Sequence, residues 1–284
     1  MHMSLDALSC LVTSEASGEA VFAKTFRAGA LDPFSFEGAV EAATRSGEAG
    51  IAPRLLDWDV AQATMLFEPA PADYRMAFAR DTQNPDAKAA IMQAKKAWHD
   101  QPLLERDLSP FDLAADYVGR LEPHIGTAIP YKGSVPFHSL KDWIARIAVV
   151  LSAAGTDRRP IHGENTVSNI LIGPEDAILL VDFDRAVNAD PLYDLGALSL
   201  DLCRNDEERE EMIEMYCGHC DAALLARVKL YAIVDDFVWG CWALLAELNP
   251  AMKGPEFLKY ASNRFMRASH HLDAFDASQL LARV

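Results

Sequence analysis

Positive charge is what this chain most lacks. Its 284 residues hold 26 lysines and arginines against 42 aspartates and glutamates, a formal net charge of −16. A surface of that sign repels a phosphate polymer, so nucleic acid is excluded as a partner and a small cationic substrate is favoured. The same acidity also serves solubility or a salty habitat. Cysteine is scarce: Cys10, Cys203, Cys217, Cys220 and Cys241 form an odd, scattered set that makes no disulfide framework. Cys217-Gly218-His219-Cys220 resembles half of a zinc site, but no second ligand pair stands elsewhere, so a metal or redox role is not expected. Long apolar runs are missing too. Stretches such as 145–154 and 233–248 are too short or too interrupted to cross a bilayer, so no membrane role is expected. Met1-His2-Met3-Ser4-Leu5-Asp6 has no basic segment followed by an apolar one, which reads as no secretory signal and a cytoplasmic protein. Gly18 and Gly29 are isolated and compose no nucleotide-binding fingerprint.

What is present is material for a core. Half of the residues are hydrophobic, enough for a two-lobed unit or two small domains. Strand-like segments cover 7–13 and 19–26, joined by a turn at Glu15-Ala16-Ser17-Gly18, and further strands fit 55–59 and 63–67. Between them 34–49 suits a helix that Gly50-Ile51-Ala52-Pro53 closes. Glu68-Pro69-Ala70-Pro71-Ala72 breaks the pattern as a hinge. Beyond it, apolar spacing predicts helices over 87–99, 110–121, 139–154, 194–202, 206–217, 222–248 and 255–272. The organisation expected is a β-rich lobe over 1–70 and a helical lobe over 71–284.

One segment interrupts the helices. Ile161-His162-Gly163-Glu164-Asn165-Thr166-Val167-Ser168-Asn169-Ile170-Leu171-Ile172, followed by Leu179-Leu180-Val181-Asp182-Phe183-Asp184, reads as a polar loop, a strand, a turn and a second strand ending in acid. It gathers a histidine, a carboxamide and several carboxylates, the equipment of metal-assisted phosphoryl transfer. Magnesium takes hard oxygen ligands, and a carboxylate five residues before an asparagine can orient an acceptor hydroxyl and accept its proton. Here that carboxylate is Glu164, one methylene longer than the aspartate usual in kinase-like loops. Either the loop has adjusted to the longer arm or activity is low. The hydroxyls of Thr166 and Ser168 serve the substrate or the turn.

His162-Gly163-Glu164 through Asn169, then Asp182-Phe183-Asp184, then Asp190-Pro191-Leu192-Tyr193-Asp194-Leu195, resembles the core of the aminoglycoside phosphotransferase and choline kinase family, and is most similar to the choline/ethanolamine kinase branch. The resemblance implies an α+β, protein-kinase-like two-lobe fold with a small, shortened N-lobe and a large helical C-lobe, acting with ATP and Mg. It implies that Asn169 and Asp182 hold the metal, that Glu164 is base or orienter, and that Lys24 contacts phosphate. His162 becomes a loop scaffold rather than a base, with Asp194 as its structural partner or simply a residue favoured at a helix start. Lys24 alone is weak, because lysines on edge strands are ordinary solubility devices. Its acidic partner is open between Glu37 and Glu41, one turn apart on the same face. Main-chain groups of Glu68 and Ala70 would meet the adenine edge, Pro69 having no amide to give. Asp184 would add contacts to metal, water or substrate, or cap the next turn. The family's first strand and phosphate-covering loop are expected to be missing or much shortened.

For the acceptor, Val238-Trp239-Gly240-Cys241-Trp242 sets two indoles three residues apart on a helix, with Tyr260 following. The choline kinase branch uses such a trio for a quaternary ammonium; a plain apolar core is the alternative. Asp235 and Asp236 could strengthen the pocket. The sequence therefore points to an enzyme phosphorylating a hydroxyl of a cationic amino alcohol. An aminoglycoside or other hydroxylated amine is the second acceptor class, and a pseudokinase that binds without turnover is the competing function.

Overall fold

The computed structural model describes residues 5–129, 131, 136–252 and 256–284. Pro255, where a helix was expected to begin, and residues 1–4, on which the reading of no signal partly rests, lie outside them.

The fold is α+β, and the first strands follow from local sequence. β1 (Ala7–Thr13) and β2 (Ala20–Phe26) are antiparallel. Gly18, at φ 74°, turns the chain between them, and its amide donates to the Ser14 carbonyl at 2.9 Å. With β3 (Leu55–Asp59) and β4 (Thr64–Phe67) they form one antiparallel sheet in the order β1-β2-β4-β3. β2 is therefore interior, which removes the edge-strand explanation of Lys24. α1 (Phe36–Glu48) starts where the Ser35 side chain accepts the Gly38 amide, and Ala39 and Ala43 on its inner face pack with Phe26, Leu31 and Met65.

Two compact units divide the chain elsewhere than at Ala70. One is 1–106 with 159–188, the other 107–158 with 189–284. The first adds β5 (Arg75–Met76), α2 (Pro85–His99), β6 (Arg159–Ile161), β7 (Ile170–Ile172) and β8 (Ile178–Leu180), and β5-β7-β8 form a second small sheet. β9 (Val187–Ala189), which pairs with β6, lies at the unit's boundary. α2 is capped by Asn84 with Pro85 in its first turn.

The second unit is helical: α3 (Pro110–Leu121), α4 (Phe137–Ala153), α5 (Pro191–Leu202), α6 (Asp206–Cys217), α7 (Ala222–Leu248), α8 (Phe257–Ala274) and α9 (Ala277–Arg283). α7 is buried along most of its length and is flanked by α3, α5 and α8. Gly240 permits this, because a Cβ there would overlap the Phe265 ring of α8. α5 begins three residues before the expected Asp194, because the Asp190 side chain accepts the Leu192 amide and Pro191 opens the first turn. No helix among the described residues is long and apolar enough to cross a membrane.

Candidate active site

The first unit brings together residues far apart in sequence. β2 carries Lys24, which is 7% exposed, and its ammonium donates to the carboxylates of both Asp182 and Asp184. Those two aspartates follow β8, where Asp182 takes a left-handed backbone at φ 73°. Burial works to lower the Lys24 pKa, but the two carboxylates outweigh it and the pKa is raised. The acidic partner is thus neither helix glutamate. Glu41 pairs with Arg45 at 2.7 Å and accepts the Glu105 amide, and Glu37 is exposed.

Glu164 is buried on the loop that precedes β7, and its Oε1 accepts from Arg185 Nε at 2.5 Å. Arg185 Nη2 also lies 3.6 Å from Asp6. Burial and the neighbouring Asp182 charge push the Glu164 carboxyl well above the usual carboxylate range, and Arg185 opposes that. Asp184 is likewise raised by burial, whereas the Asp182 carboxyl is held low: burial would raise it, and Lys24 together with hydrogen bonds from Asp184 and Glu164 more than reverses this. Asp184 is engaged by Lys24 and does not serve as a turn cap.

The loop's backbone is fixed by its own side chains. His162 Nε2 donates to the Val181 carbonyl at 2.9 Å, and its ring meets Phe183 edge-on at 4.5 Å, a scaffold's contacts. Asn169 Nδ2 donates to the Glu164 carbonyl at 3.2 Å, which leaves its side-chain oxygen to a ligand. Gly163 sits at φ 80°, where a Cβ would lie 2.5 Å from the Arg185 carbonyl oxygen, so the position requires glycine. Thr166 and Ser168 bond to each other at 2.7 Å, which assigns their hydroxyls to the turn. At the hinge the Glu68 amide donates to the Arg54 carbonyl at 2.9 Å, while the Glu68 carbonyl and Ala70 amide have no backbone partner among the described residues.

Charge counting tests whether magnesium fits. Asp6, Glu164, Asp182 and Asp184 gather around two cations, Lys24 and Arg185, and burial holds Glu164 and Asp184 towards the neutral form while Asp182 stays ionised. Among the described residues no three His, Cys, Asp or Glu side chains form a ready-made metal cage. Magnesium keeps waters and phosphate oxygens and takes one or two protein ligands. Asn169 and Asp182 supply hard oxygens of that kind. Burial, with Glu210 and Glu214 nearby, pushes the Cys220 thiol up to about 11.

In the second unit Trp242 is buried at the centre of an aromatic group. Trp239 lies 5.2 Å away at an interplanar angle of 73°, and Tyr260 6.4 Å away at 77°. Rings meeting near right angles can line adjacent walls of a box. The acids do not strengthen it as expected. Asp236 accepts from Arg264 at 3.0 Å and Arg267 at 2.7 Å, and Asp235 from Tyr193 at 3.1 Å and Arg264 at 3.4 Å. Arg264 also lies over the Tyr260 ring, 5.1 Å from its centroid, so the protein's own guanidinium takes the place of a ligand cation there. Asp194, wholly buried within the first turn of α5, leaves capping to Asp190.

A model of the phosphotransferase enzyme family matches residues 59–231, more than half of the chain, and takes in the whole loop from His162 to Asp184. The chain belongs to that family. Solved structures share the fold of this phosphotransferase. A choline/ethanolamine kinase family protein from Mesorhizobium loti superposes with a TM-score of 0.77 at 22% identity, over 96% of this chain and 92% of the other. The choline kinase LicA from Streptococcus pneumoniae gives 0.77 at 20%, over 95% of both chains. An aminoglycoside phosphotransferase from Streptomyces rimosus gives 0.54 at 24%, over 82% of this chain and 94% of the other. No curated protein matches the sequence.

Three residues that contact this cluster were not predicted from the sequence: Asp6, Arg185 and Lys95, whose ammonium reaches Asn165 from α2. Arg185 had a signal, since it directly follows the Asp182-Phe183-Asp184 run. Asp6 and Lys95 had none, because their place depends on the path of the folded chain.

Proposed function

We propose that this phosphotransferase is an ATP- and magnesium-dependent kinase whose acceptor is a hydroxyl of a cationic amino alcohol of the choline or ethanolamine kind. The observation that carries the reading is the buried meeting of Lys24 with Asp182 and Asp184, beside Glu164 and Asn169. A lysine that leaves these carboxylates for a nucleotide's phosphates exchanges one anionic partner for another. Bound by Asn169 and Asp182, magnesium would neutralise triphosphate charge. The Glu68 carbonyl and Ala70 amide meet the adenine edge. Glu164 orients the acceptor hydroxyl and, once ionised, takes its proton; burial and the Asp182 charge oppose the ionised form and Arg185 favours it. In the acceptor site Trp239 and Trp242 offer aromatic faces to an ammonium, beside a Tyr260 ring that Arg264 already covers. The choline and ethanolamine kinases that share the fold over nearly the whole chain support that acceptor class.

A second reading, nucleotide or metabolite binding without turnover, has one observation in its favour: Arg185 already occupies the carboxylate of Glu164. A coupled ADP-release screen over choline, ethanolamine, related amino alcohols and aminoglycosides separates the two. Turnover with an amino alcohol that is lost in Asp182→Asn supports the kinase. Thermal stabilisation by magnesium and ATP without ADP release from any acceptor selects the binding protein, and turnover confined to aminoglycosides moves the acceptor class.

A further inference from the structure

We infer that Lys95 is a positioning residue that aims Glu164 by holding the side chain next to it; the inference rests on the kinase reading above. Lys95 is 2% exposed on the inner face of α2, among Ile91, Met92 and Trp98. An ammonium among such neighbours is costly unless it is bonded, and packing alone would be served by a hydrocarbon side chain. Its Nζ donates to Asn165 Oδ1 at 2.5 Å, and Asn165 is itself buried.

The contact matters because of what flanks it. Asn165 is the peptide neighbour of Glu164, in a stretch between β6 and β7 that has no strand or α-helix to set its path. On the other side, Gly163 is packed against the Arg185 backbone. Lys95 and Arg185 thus fix both neighbours of Glu164, while Arg185 Nε holds its carboxylate. One turn along the same face of α2, Trp98 meets Phe183 edge-on at 4.8 Å, and Phe183 meets His162. α2 therefore reaches the loop twice, at Asn165 directly and at His162 through Phe183. A glutamate, with one more rotatable bond than aspartate, gains from having its backbone held this tightly.

The test uses the full chain in four forms: wild type, Lys95→Met, Asn165→Ala and the double variant, with Lys95→Arg as the conservative replacement. A displacement of about 1 Å can cost roughly a hundredfold in rate. Lys95→Met is expected to lower kcat by about ten- to a hundredfold while KM for ATP stays within about twofold, the double variant to be no worse than the poorer single one, and Lys95→Arg to recover part of the loss. An unchanged kcat in folded Lys95→Met, or losses that multiply in the double variant, overturns the inference. Hydrogen exchange of residues 163–169 decides the clamp independently of turnover. Faster exchange in Lys95→Met confined to that loop supports it, and an unchanged loop overturns it. A wild type with no phosphoryl transfer to any acceptor sinks the kinase reading instead, and the exchange result still stands.

Discussion

Each compact unit buries a cluster of charge, and the two clusters are built differently. In the first, two cations, Lys24 and Arg185, face four carboxylates, those of Asp6, Glu164, Asp182 and Asp184. In the second, Arg264 and Arg267 face Asp235 and Asp236, two against two. Burying charge is expensive in both places. The balanced set is complete as it stands and ties α7 to α8. The first set has more carboxylates than cations, and burial holds two of them, Glu164 and Asp184, towards the neutral form. Composition alone hides this, because both units are rich in acid.

Four substitutions sharpen or break the contrast. Asp182→Asn removes a proposed metal ligand, so kcat/KM is expected to fall by more than about a hundredfold, beyond the loss from disturbing an outer-shell partner of a metal ligand, while the melting temperature holds because Asp184 still faces Lys24. A melting temperature that drops sharply would show that the first cluster is structural after all. Asp236→Ala acts on the balanced set, taking from Arg267 its carboxylate and leaving Arg264 with Asp235 and the Tyr260 hydroxyl. Denaturant unfolding should show a loss of about 3–5 kcal/mol, and a loss below about 1 kcal/mol would mean that the pairs contribute little.

The third change tests the aromatic group beside that cluster. Trp239 is less buried than Trp242, so replacing it leaves a smaller defect in the core. Trp239→Leu should raise KM for a quaternary amine by about two- to thirtyfold, the worth of one cation–π contact, and leave KM for ATP alone; equal increases in both would return the rings to the core. The smallest effect is on pH dependence. Burial lowers the His271 pKa from 6.5 to about 4, so the folded state resists protonation that the unfolded chain accepts. Stability is therefore full above pH 6.5 and declines as pH falls towards 4. His271→Phe should flatten part of that decline in melting temperature, and an identical slope would remove His271 as its source.

Much of this was legible beforehand, for identifiable reasons. β1, β3, α3, α6 and α7 have the limits that turn residues and caps announce, as in Ser109-Pro110 before α3 and Asp221 before α7. α5 carries the same signal in Asp190-Pro191, three residues before the expected Asp194, which is a second acid within the first turn. β5, β6 and β9 are two or three residues long and owe their existence to pairing rather than to any local preference. In the site, the loop itself was readable from its order of residue types. The partner of Lys24 was not, since a glutamate one helix away is a local guess and Asp182 and Asp184 lie about 160 residues on. Nor was the neutralisation of Asp235 and Asp236, which depends on how α8 turns its arginines towards α7.

Gly163 carries a consequence for tracing this branch through sequence collections. The letter that differs from kinase-like loops is the acid after it, yet the backbone there is set by φ 80° and by the Arg185 carbonyl, neither of which depends on the length of the acid. A search pattern written around a histidine, any residue and an aspartate would pass over this protein. One that fixes glycine between histidine and either acid, with arginine directly after the Asp182-Phe183-Asp184 run, follows the constraint that the folded chain itself enforces.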